Sequence, residues 1–176
     1  SYYRRGDFGH AVHHYQRAID IQPTRLRAHF NLGMLYSQAR RYDAALASFK
    51  TALALHPTHV ETHFNTGLTY QKMQRYVEAI GHYRAVLDLD PGHAKTRYNL
   101  GRAYERTDRL SEAVVQYNAV IELNPTATKS YYRLGEVYYR SGYIAKMIEA
   151  WTALLRIKPD HAHAGRVREI IGQNNR

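Results

Sequence analysis

The stretch Arg27 to Pro57, RAHFNLGMLYSQARRYDAALASFKTALALHP, sets the pattern for the whole chain, because its punctuation returns at a fixed interval. The five prolines are Pro23, Pro57, Pro91, Pro125 and Pro159, each 34 residues after the one before. Gly33, Gly67, Gly101 and Gly135 keep the same step, as do Tyr2, Tyr36, Tyr70, Tyr104 and Tyr138. Ala11, Ala45, Ala79 and Ala113 follow it, and so do the aromatic residues Tyr15, Phe49, Tyr83, Tyr117 and Trp151. A fixed period of this length marks a stack of similar units, each too small to bury its own apolar face alone.

Apolar spacing within each unit predicts two helices. The first helices are expected over about residues 25–39, 60–74, 94–107 and 128–140. Their partners begin at Tyr42, Tyr76, Leu110 and Ile144 and stop just before the next proline, which disfavours helix in the residue preceding it. Thr24, Thr58, Gly92, Thr126 and Asp160 follow the prolines and are expected to cap the next helices, Thr58 with Glu61 as a capping box. Gly33 is expected to face Ala45, with its counterparts doing likewise, so that the two helices of a hairpin approach closely. Ser1 to Arg5 reads as the tail of a helix whose partner covers about residues 8–20, with Ala11, Tyr15 and Ala18 on one face. Near the other end, Ala164, Val167, Ile170 and Ile171 share a face of a terminal capping helix.

The Leu-Gly-x-x-Tyr core (Leu32, Gly33, Tyr36; Leu100, Gly101, Tyr104; Leu134, Gly135, Tyr138), the later Ala with an aromatic four residues on, and the closing Pro resemble the tetratricopeptide repeat family. The resemblance runs from Tyr2 to Pro159. It implies an all-α fold, a right-handed superhelical solenoid of antiparallel helix pairs. A single array is expected over residues 1–176: a partial repeat over 1–23, full repeats over 24–57, 58–91, 92–125 and 126–159, and a capping helix over 160–176. Local departures are Thr66 in place of Leu, and His29, His63, Arg97 and Tyr131 where the family has Trp. Met147 replaces the small residue of Ala113 and is expected to loosen or shift the helix contact beside Gly135.

The chain starts with Ser1 inside a repeat and is expected to be a piece of a longer protein or a processed form, its N-terminal end carrying apolar surface open to self-association. No apolar run is long enough for a membrane span, so a soluble chain is expected. The compartment is left open, with the cytoplasm favoured. The absence of cysteine excludes disulfides, thiolate metal sites and a cysteine nucleophile. A formal charge of +10, with 11 histidines counted neutral, favours acidic partners.

No glycine-rich phosphate loop, nucleophile elbow or His-Glu-x-x-His motif is present, so no catalytic residue and no cofactor is expected. His10, His13 and His14 read as solvated rather than as a metal site, and no metal is expected. Arg41, Arg75 and Arg109 read as cations at helix C-termini rather than as a phosphate-tracking ridge, and nucleic acid is not the expected partner.

The binding candidates lie on the first helices. Asn31, Asn65, Asn99 and then Arg133 step by 34, each preceded by an aromatic: Phe30, Phe64, Tyr98 and Tyr132. In the family this part of the helix lines the concave groove, and an amide ladder there suits an extended peptide backbone, as in the similar ladder of O-linked N-acetylglucosamine transferases. Later repeats add Lys95, Arg102, Arg106, Lys129 and Arg140 to Arg133, against only Glu105 and Glu136. Lys129, Arg133 and Asn99 match three members of the family's two-carboxylate clamp, whereas Phe64 and Leu68 stand where its other Lys and Asn would be. The function expected is a non-catalytic scaffold that binds an extended, acidic segment of a partner protein in its groove. The alternatives are a targeting or regulatory module of a larger enzyme such as a glycosyltransferase, or a self-assembly module.

Overall fold

A computed structural model describes residues 5–174, and among these are ten α-helices and no strand. The chain divides after Pro91, on a repeat boundary, into two compact units. The first holds α1 (Arg5–Ile21), α2 (Leu26–Gln38), α3 (Tyr42–Leu55), α4 (Val60–Lys72) and α5 (Tyr76–Leu89). The second holds α6 (Ala94–Arg106), α7 (Leu110–Leu123), α8 (Thr128–Arg140), α9 (Ile144–Ile157) and α10 (Ala164–Asn174). The tightest pairs are α2 with α3, α4 with α5, α6 with α7 and α8 with α9, the hairpins expected from the period. Within the units α1 packs on α2, α3 on α4, α7 on α8 and α10 on α9.

Each hairpin turns through one left-handed residue: Arg40 (φ 60°), Gln74 (φ 61°), Asp108 (φ 57°) and Gly142 (φ 75°). The next N–H reaches back to close the first helix, as in Arg41 N to Tyr36 O at 2.9 Å and Arg75 N to Tyr70 O at 2.9 Å, the bond of a Schellman motif. The arginine ladder belongs to this turn. Arg75 lies 4.9 Å over the Tyr70 ring and Arg109 4.5 Å over the Tyr104 ring, while their guanidinium groups pair with Glu78 and Glu112 at 2.6 Å.

The repeat boundaries correct the expected caps. Pro23 and Thr24 occupy a turn closed by Arg25 N donating to Gln22 O at 3.0 Å, and the Pro57 turn closes likewise from His59 N to His56 O at 3.2 Å. Proline suits the second position of such a turn, so the threonine after it is consumed and the cap moves one residue on. The caps are Arg25, His59, His93 and Ala127 rather than Thr24, Thr58, Gly92 and Thr126. No Thr58–Glu61 capping box forms; instead the His59 and His93 rings accept from the N–H of Thr62 and Thr96, each at 3.2 Å.

The glycines mark where the two helices of each hairpin pack most tightly on an aromatic ring. A Cβ on Gly33 would come within 2.6 Å of the Phe49 ring, and Gly67, Gly101 and Gly135 are shielded the same way by Tyr83, Tyr117 and Trp151. Each glycine therefore makes room for the second-helix aromatic, because a flat ring needs the space a side chain would fill. Phe49, Tyr83, Tyr117 and Trp151 are all fully buried, as are Ala45, Ala79, Ala113 and Met147. Met147 joins Tyr132, Trp151, Leu154 and Val167 in one cluster, with Ile170 and Ile171 of α10 packed against it. Thr66, in place of leucine, is buried and donates its hydroxyl to Thr62 O at 2.7 Å.

The N-terminal reading also changes. Arg5 belongs to α1, which runs on without a turn at Gly6, so it is not the tail of a separate helix. Tyr2 lies outside the described residues. Phe8 and Tyr15 are half-buried, with Phe8 edge-on to Tyr36 at 6.2 Å.

Candidate peptide-binding surface

Two of the asparagines bond back to their own helix. Asn65 Nδ2 donates to Glu61 O at 2.7 Å and Asn99 Nδ2 to Lys95 O at 2.9 Å, each on its own helix, which leaves one N–H and the side-chain carbonyl of each amide for other partners. Asn31 is half-buried on α2, and Asn99 is buried. The preceding aromatics are mostly packing residues. Phe30, Phe64, Tyr98 and Tyr132 tilt or stack on Phe49, Tyr83, Tyr117 and Trp151 with centroids 5.8 to 6.4 Å apart. Tyr132 is buried and also stacks on His163 at 4.3 Å, which places it in the core. Burial, and then the charge of Glu136, push its hydroxyl pKa up.

In the first unit, α2 and α4 are joined by Ser37 Oγ to Thr69 Oγ1 at 3.1 Å, with Lys72 Nζ donating to Ser37 Oγ at 3.3 Å. In the second unit, α6 and α8 are joined by charge. Arg133 Nη1 lies 3.8 Å from Glu105 Oε2, and Arg140 Nη2 lies 3.0 Å from Asp108 Oδ1 at the hairpin turn. The Tyr117 hydroxyl donates to the other Glu105 oxygen. Burial and then the Glu105 charge push the Tyr117 pKa far above its ordinary value. Burial alone would lower the Arg133 pKa, but Glu105 and a hydrogen bond to Tyr98 outweigh it and hold the group above its usual range. This carboxylate, 11% exposed, is therefore engaged from two sides. Sequence reasoning counted Glu105 as an opposing charge and missed its partners. The recurrence was available, since Gln71 stands one period earlier and accepts from the Tyr83 hydroxyl at 3.0 Å.

Lys95 and Lys129 hold equivalent, exposed places on α6 and α8, Arg102 is half-buried, and Arg106 and Arg140 are exposed at the helix ends. The second acid, Glu136, lies 3.4 Å from Arg166 of α10. The unit thus presents a cationic first-helix surface whose two carboxylates each face an arginine. His29 and His63 reach back to Pro23 O and Pro57 O, each at 2.8 Å, and serve the repeat boundary. His10, His13 and His14 are exposed on α1, and among the described residues no three metal-ligating side chains converge. Among the described residues no helix is long and apolar enough to cross a membrane.

Four family models match the chain, at residues 1–60, 48–81, 70–134 and 128–161, and each describes a tetratricopeptide repeat. Fold and surface together define a protein-binding scaffold, an all-α solenoid of helix pairs. The chain belongs to the tetratricopeptide repeat family. Among solved structures it is similar to MamA at 22% identity, covering 90% of this chain and 92% of that one, with a TM-score of 0.84. It is similar to MamA from Desulfovibrio magneticus RS-1 at 21% identity, covering 90% of each chain, with a TM-score of 0.82. YrrB, described as a TPR protein with an unusual peptide-binding site, matches at 21% identity over 93% of this chain and 84% of its own, with a TM-score of 0.83. At such identities the likeness is one of fold. No curated protein matches by sequence.

Proposed function

We propose that this chain is a non-catalytic scaffold whose first-helix surface binds an extended, acidic segment of a partner protein, chiefly in the second unit. The observation that carries this reading is the cationic face of α6 and α8. Lys95, Arg102 and Asn99 lie on α6 and Lys129 and Arg133 on α8, and the α6 carboxylate Glu105 is mostly buried and engaged by Tyr117 and Arg133. Like charges gathered this way are tolerated best when an anion visits. The Asn99 carbonyl suits a peptide N–H, and Tyr98 offers a half-buried ring beside it. The peptide-binding site ascribed to YrrB is in keeping with a peptide as the ligand class.

Exposed ion pairs contribute only about 0–1 kcal/mol each, so affinity has to come from several contacts acting together. Calorimetry with a glutamate-rich peptide tests this. Binding weakens with added salt, and Lys129→Ala combined with Arg133→Ala reduces it about tenfold or more, as loss of charge-assisted bonds would. Arg41→Ala, at a hairpin turn, leaves it nearly unchanged. A larger loss from Arg41→Ala than from the double change would refute the assignment and favour a polyanion tracking the turns.

A further inference from the structure

A second surface of the second unit forms a groove of about 740 Å³ between α7 and α9, floored by α8. Its floor is Tyr131, Leu134 and Tyr138, and its walls include Ile121 of α7 and Ala150 and Ala153 of α9. The groove opens because of two residues. One period earlier their places are held by Arg97 and Gln116, which bond to each other at 3.3 Å, and two periods earlier by His63 and His82, which bond at 3.2 Å. Tyr131 and Ala150 cannot make that bridge, since alanine carries no polar atom. The corresponding hollow in the first unit, where His82 intrudes, measures about 270 Å³.

Charge marks the two ends of the groove. Lys146 lies 5.7 Å over the Tyr138 ring and 5.5 Å over the Tyr143 ring at one end, and Arg156 stands ten residues further along α9, roughly 15 Å away. Glu149 lies between them, and among the described residues neither Glu149 nor Arg156 takes part in an ion pair. The walls are helix side chains and offer no sheet edge, which suits an occupant whose backbone is already satisfied, as in a helix.

We propose that this groove docks an amphipathic helix of a partner protein. Its apolar stripe would lie on Tyr131, Leu134 and Ala150, with acidic residues ten or eleven apart meeting Lys146 and Arg156 and a donor between them meeting Glu149. An eleven-residue spacing returns to the same helix face after about three turns, which matches the distance between the two cations. This site is separate from the face of α6 and α8 and does not depend on it.

The test is to pan a displayed library of helix-biased peptides, about 16 residues long to exceed the span of the two cations, against the whole chain. The peptides recovered are then measured by fluorescence anisotropy. The expected result is enrichment of an apolar stripe with acids ten or eleven apart, and a tenfold or greater loss of binding on Ala153→Trp, which fills the groove. Lys146→Glu combined with Arg156→Glu gives a similar loss, and these exposed positions keep the test valid should the tryptophan disturb folding. Lys129→Ala leaves this binding unchanged. Failure to enrich any helix, binding insensitive to the charge reversal, or binding lost on Lys129→Ala but kept by Ala153→Trp would each overturn the proposal.

Discussion

Replacing Gly135 with alanine probes the contact that sets how closely the helices of a hairpin approach. A Cβ there would fall within 2.6 Å of Trp151 Cε2 and nearer still to Nε1. The indole is fully buried, and its N–H donates to Tyr132 O at 3.1 Å. To reach ordinary contact the nearest ring atoms must retreat by roughly 1.5 Å, which also stretches that hydrogen bond. Overpacking of this kind costs about 1–3 kcal/mol and a weakened hydrogen bond about 1 kcal/mol. Alanine in place of glycine within a helix returns about 1 kcal/mol, so a net loss of about 1–3 kcal/mol is expected. At Gly101 the nearest Tyr117 atom is 2.8 Å away, so Gly101→Ala costs less. Gly81 is exposed in the middle of α5 with nothing within 4 Å, and Gly81→Ala adds stability. Urea unfolding of the three variants gives the ranking, and hydrogen exchange localises the Gly135→Ala loss to α8, α9 and α10. Gly135→Ala proving as stable as Gly101→Ala would refute the reasoning.

His82 makes stability pH-dependent: burial, and then neighbouring His63, hold its pKa below the usual imidazole value. Between the unfolded value of about 6.5 and the lower folded one, the unfolded chain binds more protons, so stability falls as pH drops through that window and levels off beneath it. His82→Gln reduces the slope of urea midpoint against pH, leaving the part due to His161, whose pKa is lowered by burial and then by His163; an unchanged slope would count against the His63–His82 contact. At the hairpin turns, Gln74 holds φ at 61°, so Gln74→Gly raises stability by about 1 kcal/mol. The reverse change, Gly142→Gln, lowers it, and equal unfolding midpoints for these variants and the parent would dismiss backbone strain at the turn.

What could be read before any coordinates were known was whatever depends on residues close together along the chain. Helix spans from Tyr42, Tyr76, Leu110 and Ile144, the stops before each proline, and the apolar face of α10 all follow from local spacing and backbone restriction repeated every 34 residues. Because those signals agree in every repeat, the fold class followed from them. The caps show the limit even of local reasoning: Thr58 and His59 are adjacent, and only the geometry of the proline turn decides which one meets the next helix.

Tertiary structure decided how side chains meet across helices. Gly33 makes room for the Phe49 ring because a hairpin's crossing geometry, not residue size alone, determines which positions face each other. Arg133 faces Glu105 and Tyr98, 28 and 35 residues back along the chain. The groove beside Tyr131 exists because the position opposite, 19 residues on, is Ala150, where the two preceding repeats carry His82 and Gln116. Periodicity reports that two positions recur, whereas distance, burial and the direction of each side chain determine whether they bond, clash or leave a hollow, and those arise only once the helices have packed.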